Sequence, residues 1–158
     1  MQTPTKQQAE KLLKQYDIAL TWQRIAVLQE LMSRRDHPRA EQLVQKMCIH
    51  GKRLSRATVY NTLQLFSRQG LLTTLHIEGE SLRYDIDTSE HGHFLCEQCG
   101  SVFNFDFSLP DAVMDVLPGF EIRQRELTFR GTCAACAASA RRYSAATSIP
   151  GMQQEDPI

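Results

Sequence analysis

The sequence predicts an α+β chain of two unlike halves, and three observations support this. Apolar residues recur at helical spacing up to Gly70 and in strand-like alternation after it. Charge divides at the same place, with 12 Lys+Arg against 5 Asp+Glu in residues 1–70 and 6 against 13 in residues 71–158. Four of the five cysteines form two C-x-x-C pairs, both in the second half. A half of net charge +7 beside one of −7 suits a protein that turns one face to a polyanion and keeps the other for cations or protein contacts.

Residues 6–15 (KQQAEKLLKQ) are good helix formers with a basic bias. A second helix is expected from Trp22 to about Arg34, capped by Thr21 and striped by Ile25, Leu28 and Met32. Asp36-His37-Pro38 predicts the next start, because proline favours a first helical position; Ala40, Leu43, Val44 and Met47 form its buried side, and Gly51 ends it. Ser55 or Arg56 opens a fourth helix that stops at Gly70. Its Val59, Leu63 and Phe66 face inward at i, i+4, i+7, leaving Ala57, Tyr60, Asn61, Gln64 and Arg68 on the opposite side.

Beyond Gly70, LLTTLHI, a turn at Glu78-Gly79-Glu80 and SLRYDI predict a hairpin directly behind a helix. Helices followed by a hairpin wing make a winged helix-turn-helix over residues 1–86. Residues 87–90 are expected to be a hinge. In residues 91–142, HFLCEQCGSVFNFDF and FEIRQRELTFRG predict strands on either side of a short helix near Pro110 to Leu117. Residues 143–158 lack periodicity and are expected to be a flexible tail. No stretch approaches a membrane span of about 18 apolar residues, and the polar N-terminus has no signal-peptide core, so the expected location is the cytoplasm. In that reducing compartment the paired cysteines are metal ligands or redox thiols rather than disulfides.

The exposed side of the fourth helix has the chemistry of a major-groove reader. Ala57 and Tyr60 can meet thymine methyls, Asn61 and Gln64 can pair with adenine edges, and Arg68 can reach a phosphate. The plainer alternative is a solvated helix face. Cys96-x-x-Cys99 and Cys133-x-x-Cys136 supply four thiolates, the donor set of a closed, structural zinc site; a thioredoxin-type redox pair is the competing reading. Cys48 stands apart as a small core side chain. A harder donor set comprises His37, Asp85, His91 and His93, with Asn104 and Asp106 after the first knuckle. Imidazole with carboxylate suits Fe(II), Mn(II), Zn(II) or Ni(II) bound reversibly. His50 and His76 fit no cluster. The function classes these features allow are a metal-sensing DNA-binding protein, a zinc enzyme centred on the His/Asp cluster, or a redox-switched adaptor. The second lacks an obvious general base or nucleophile motif.

LTWQRIAVLQEL, HPRAEQLV, LSRATVYNTLQLFSRQGLL, EHGHFLCEQCG and the terminal C-A-A-C together resemble the ferric uptake regulator superfamily over about Leu20 to Cys136. The resemblance implies a homodimeric repressor whose second half is a dimerisation domain, binding an AT-rich inverted repeat in double-stranded DNA when metallated. It assigns Tyr60 to base contact, the four cysteines to structural Zn(II), and His37, Asp85, His91 and His93 to a regulatory metal, Fe(II) or Mn(II). Glu90-His91-Gly92-His93 stands where iron regulators commonly have H-H-D-H, while T-V-Y-N and Asp85 are similar to the peroxide-responsive branch. That branch has an aspartate where this chain has Asn104. An amide oxygen can ligate in its place with one charge fewer, or Asp106 can substitute. Iron- and zinc-uptake repressors are the alternatives within the superfamily.

Overall fold

The computed structural model describes residues 4–34, 36–49, 52–76, 82–108, 117–122 and 126–147. The chain divides into two compact units, residues 1–89 and 90–158.

The first unit holds α1 (Lys6–Gln15), α2 (Trp22–Ser33), α3 (Ala40–Lys46), β1 (Cys48–Ile49), β2 (Lys52–Arg53), α4 (Arg56–Arg68), β3 (Thr73–Leu75) and β4 (Arg83–Asp85). Capping chemistry sets the helix starts. Thr5 Oγ1 accepts the Gln8 N–H while Gln8 Oε1 accepts the Thr5 N–H, a reciprocal capping box. Thr21 accepts from Arg24 N–H, and Ser55 accepts from Thr58 N–H. At the end of α4 the Leu71 N–H reaches Phe66 O at 2.9 Å and the Gly70 N–H reaches Ser67 O at 3.1 Å. This Schellman closure needs the left-handed φ of 72° that Gly70 supplies, and it buries Leu71 against the helix end. The core joins Ala9 and Leu13 of α1 to Ile25, Leu28 and Leu31 of α2, Leu43 of α3, and Val59, Leu63 and Phe66 of α4.

Two expectations are corrected here. The third helix begins at Ala40 rather than at Pro38, because the residues before it pair with β4: Arg39 bridges Arg83, and the Tyr84 N–H donates to Pro38 O at 3.1 Å. That antiparallel register puts His37 opposite Asp85. The helix also ends at Lys46, before Gly51, and a two-residue hairpin, β1–β2, follows it. Gly51 and the Glu78-Gly79-Glu80 turn lie outside the described residues, and the wing strands are three residues each, paired Thr73 to Asp85 and Leu75 to Arg83.

The second unit is a three-stranded sheet with β5 (His91–Cys96) central, β6 (Val102–Asp106) antiparallel on one side and β7 (Thr128–Gly131) parallel on the other. Helix α5 (Ala134–Thr147) follows β7 and takes in residues 143–147, correcting the expectation that the tail begins at 143; residues 148–158 lie outside those described. The short helix expected near Pro110 falls on residues 109–116, outside those described. Alternation and register put His91, His93, Asn104 and Asp106 on one sheet face and Phe94, Phe103, Phe105 and Phe129 on the other. The Phe105 and Phe129 rings stack at 5.5 Å, and Phe103 and Phe129 remain 46% and 53% exposed. Gly92, between the two histidines, lets the Phe105 ring lie over the backbone: a Cβ there would come within 2.2 Å of the ring and force it to move.

Candidate metal centres and nucleic-acid interface

Cys96 ends β5, and Cys99 sits in the turn to β6, closed by the Gly100 N–H to Cys96 O at 2.8 Å. Cys133 precedes α5 and caps it, its carbonyl accepting the Ala137 N–H; Cys136 lies in the first turn. The parallel pairing of Cys96 with Gly131 therefore carries the second knuckle to the first. All four sulfurs lie within 4.8 Å of one another, with Cys99 and Cys133 4.0 Å apart. Zn–S bonds of about 2.3 Å put neighbouring sulfurs roughly 3.8 Å apart, so the separation fits tetrahedral zinc.

The electrostatics of the sulfurs also fit a cation. The Cys133 backbone N–H, donating to Cys96 Sγ at 3.3 Å, pulls the Cys96 thiol down to about 6. The Ser101 hydroxyl, 3.3 Å from Cys99 Sγ, lowers that thiol as well. Cys136 is pushed up to about 12, first by its hydrogen bond with the Cys133 sulfur. The Cys136 thiol is thus held protonated chiefly by its sulfur neighbours' hydrogen bonds and by burial, and a divalent cation among the four sulfurs would favour the thiolate instead.

The harder donors form two pairs, one in each unit. In the first unit, His37 Nε2 and Asp85 Oδ2 are 2.9 Å apart and both side chains are buried. Asp85 is oriented through its other oxygen, which accepts the Asp87 N–H at 2.9 Å. His37 has a φ of 47°, a left-handed conformation unusual for a residue without glycine's freedom and further disfavoured before proline. Strain of this kind is characteristic of residues held for a function. In the second unit, His91 Nε2 and His93 Nε2 are 3.0 Å apart, the rings edge-to-face at 4.5 Å. These spacings are those of adjacent donors on one cation with bonds of about 2.1 Å. Asn104 and Asp106 stand across from His93 and His91 on β6, and both are exposed.

On α4, Ala57, Asn61, Gln64 and Arg68 are exposed and Tyr60 is half-buried, while Val59, Leu63 and Phe66 are fully buried. Two residues on this face escaped the sequence reading. The Tyr60 hydroxyl donates to Glu41 Oε1 from α3, and Arg56 Nη2 reaches the same oxygen at 3.3 Å and Tyr60 Oη at 3.1 Å. The Tyr60 hydroxyl holds the Glu41 carboxyl below its ordinary range, and Glu41 in turn raises the Tyr60 phenol. An i, i+4 pairing of Arg56 with Tyr60 was readable in the sequence; the partner on another helix was not. His76 is exposed, His50 lies outside the described residues, and so does the Cys48 side chain.

Residues 15–130 match the profile of the ferric uptake regulator family. This chain belongs to that family. The Bacillus subtilis peroxide operon regulator is 33% identical over 132 residues, covering 82% of this chain and 91% of that one. Among solved structures, the Vibrio cholerae ferric uptake regulator is 26% identical at a TM-score of 0.62, with 78% and 98% of the two chains covered. A zinc uptake regulator complexed with zinc and DNA is 25% identical at 0.64, covering 87% and 99%. Ferric uptake regulator family members are metal-responsive repressors that bind DNA as dimers. Membership makes this chain such a regulator and sets aside the zinc-enzyme and redox-adaptor readings. No helix among the described residues is long and apolar enough to cross a membrane.

Proposed function

We propose that this chain is a cytoplasmic, peroxide-responsive member of the family, repressing transcription as a homodimer bound to an AT-rich inverted repeat. Residues 1–86 read DNA, residues 87–90 are the hinge, and residues 91–142 form the dimerisation domain. The exposed phenylalanines Phe103 and Phe129 are the apolar surface offered to a second copy. Cys96, Cys99, Cys133 and Cys136 hold zinc permanently. His37, Asp85, His91 and His93, with Asn104 completing the set, hold Fe(II) or Mn(II) conditionally.

The observation that carries this reading is the pair of close donor contacts, His37 with Asp85 and His91 with His93, each too tight for two groups without a shared proton or cation. A metal that takes both pairs binds one arrangement of the chain better than others, so its presence selects that arrangement. A dimer so arranged presents two α4 helices, with Ala57, Tyr60, Asn61, Gln64 and Arg68 outermost, to successive half-sites of a palindrome. Fe(II) held by these residues would supply the redox chemistry that activates peroxide. Iron bound there would act as the redox catalyst without net change: peroxide would add one oxygen atom to the His37 or His91 imidazole and leave as water, and the altered imidazole would no longer ligate well.

The test is a gel shift on the DNA upstream of the chain's own gene, with Mn(II), with Fe(II), and with each after peroxide. Binding that requires metal, survives peroxide in Mn(II) and is lost in Fe(II) together with one added oxygen on the His37 or His91 peptide is the expected result. Retention of both mass and DNA by the Fe(II) form would make the protein a simple metal-uptake repressor instead.

A further inference from the structure

We propose that Glu41 is a specificity-determining residue of the DNA-reading face, holding Tyr60 in its reading orientation and withholding the Arg56 charge from DNA phosphates in general. The inference rests on α4 being the reading helix and goes beyond it by assigning a role to an acidic side chain on that face.

Three facts lead to it. A carboxylate at a surface that approaches a polyanion is costly to binding unless its charge is used locally. Glu41 uses it: one oxygen, Oε1, takes both the Tyr60 hydroxyl and the Arg56 guanidinium, while that guanidinium also lies 5.1 Å over the Tyr60 ring. Arg56 is the first residue of α4, the end of a recognition helix that enters the groove, and its side chain is 69% exposed. A free arginine there would bind any duplex. Clamped to Glu41, it answers only when a better-placed set of contacts replaces the carboxylate, and Tyr60 is meanwhile kept in one rotamer.

The arrangement is not explained by stability. Glu41 is 40% exposed on its side chain, and an exposed ion pair contributes little to folding. Glu41 does, however, lie in the first turn of α3, just after the segment in which Pro38 and Arg39 are tied to Tyr84 and Arg83. The clamp therefore sits on the same segment as His37, whose partner Asp85 lies on the paired strand β4.

The experiment uses the full chain loaded with Mn(II), a duplex selected from a randomised pool by the wild-type protein, and a scrambled duplex of equal composition. In Glu41→Gln the amide oxygen still accepts from Tyr60 but the charge is gone. Affinity for the scrambled duplex should rise about threefold to tenfold, with a salt dependence steeper by up to about one counterion, while the selected duplex binds no more weakly than to wild type. In Glu41→Ala the selected duplex should in addition bind about tenfold more weakly, and Tyr60→Phe in that background should add no further loss, since the hydroxyl has no remaining partner. Unchanged affinity and salt slope on scrambled DNA in Glu41→Gln overturns the proposal, as does an equal loss on both duplexes in Glu41→Ala. Wild-type protein that selects no duplex under any of Mn(II), Fe(II) or Zn(II) would overturn the DNA-reading function itself, a result distinct from failure of the clamp.

Discussion

The two donor sets of this chain are built on opposite plans. The four cysteines are alike, come from two short knuckles of one unit, and are brought together by a single strand pairing, β5 beside β7. The histidine and aspartate donors are mixed, come as a pair from each unit, and the first pair is 48 residues apart in sequence. On the proposed reading the first plan makes a metal part of the fold, since four thiolates within 4.8 Å of one another need a cation between them. On the same reading the second makes a metal optional, since each pair already shares a hydrogen bond and its donors are preformed. A permanent site and a sensing site are distinguished by what the donors do when the metal is gone.

The largest effect expected from breaking this contrast is at the sulfurs. Cys136→Ser removes one of four clustered thiols, so zinc should be lost and residues 90–158 should lose cooperative melting and dimerisation, since a unit this small leans on its metal. Metal analysis with calorimetry reads this, and a zinc-free dimer with unchanged melting would show that the site is not structural. His37→Ala comes next and should behave oppositely. Zinc content and the melting of the second unit should stay near wild type, the first unit should melt lower because buried Asp85 loses its imidazole partner, and the gain in DNA affinity on adding Mn(II) should fall on the order of 100-fold, the upper range of allosteric coupling. Loss of zinc in this variant would mean that the two sites are not separable.

A smaller effect is expected at Asn104, which faces His93 across β5 and β6. Asn104→Asp restores a charge on the same sheet face and should tighten Mn(II) binding about tenfold, measured by competition with a chelator of known affinity. If peroxide sensitivity is weak in the native chain, the same variant should strengthen it. No change in metal affinity would move the fifth donor to Asp106.

Much of this was legible in the sequence because the signals were local. Two C-x-x-C spacings define two knuckles whatever the topology, and Val59, Leu63 and Phe66 mark the inner side of α4 by period alone. Ser55, Thr21 and Gly70 announce helix ends through chemistry that acts within four residues. What escaped was decided by pairing at a distance. Pro38 is a good first helical residue, but its carbonyl is taken by Tyr84 of the wing, and the helix waits until Ala40. Glu41 carries no local signal beyond that of an acid in a helix's first turn; only the packing of α4 on α3 sets Tyr60 and Arg56 against it. The two-residue strands β1 and β2 are too short for any period to show.

The smallest prediction tests whether the first unit stands without metal. Its helix starts are held by side-chain oxygens and its interior by a continuous apolar core. Ser55 caps the reading helix, its Oγ accepting the Thr58 N–H at 3.1 Å and lying 2.8 Å from Thr58 Oγ1. Ser55→Ala leaves that N–H to solvent and should cost about 1 kcal/mol. Because residues 1–89 and 90–158 are separate compact units, urea unfolding in excess chelator should show the loss only in the transition of the first. Zinc-loaded and chelated protein should lose the same amount. A loss that disappears on chelation would show that the helical unit draws its stability from the zinc-bearing sheet, and the contrast between a metal-built unit and a core-built one would have to be given up.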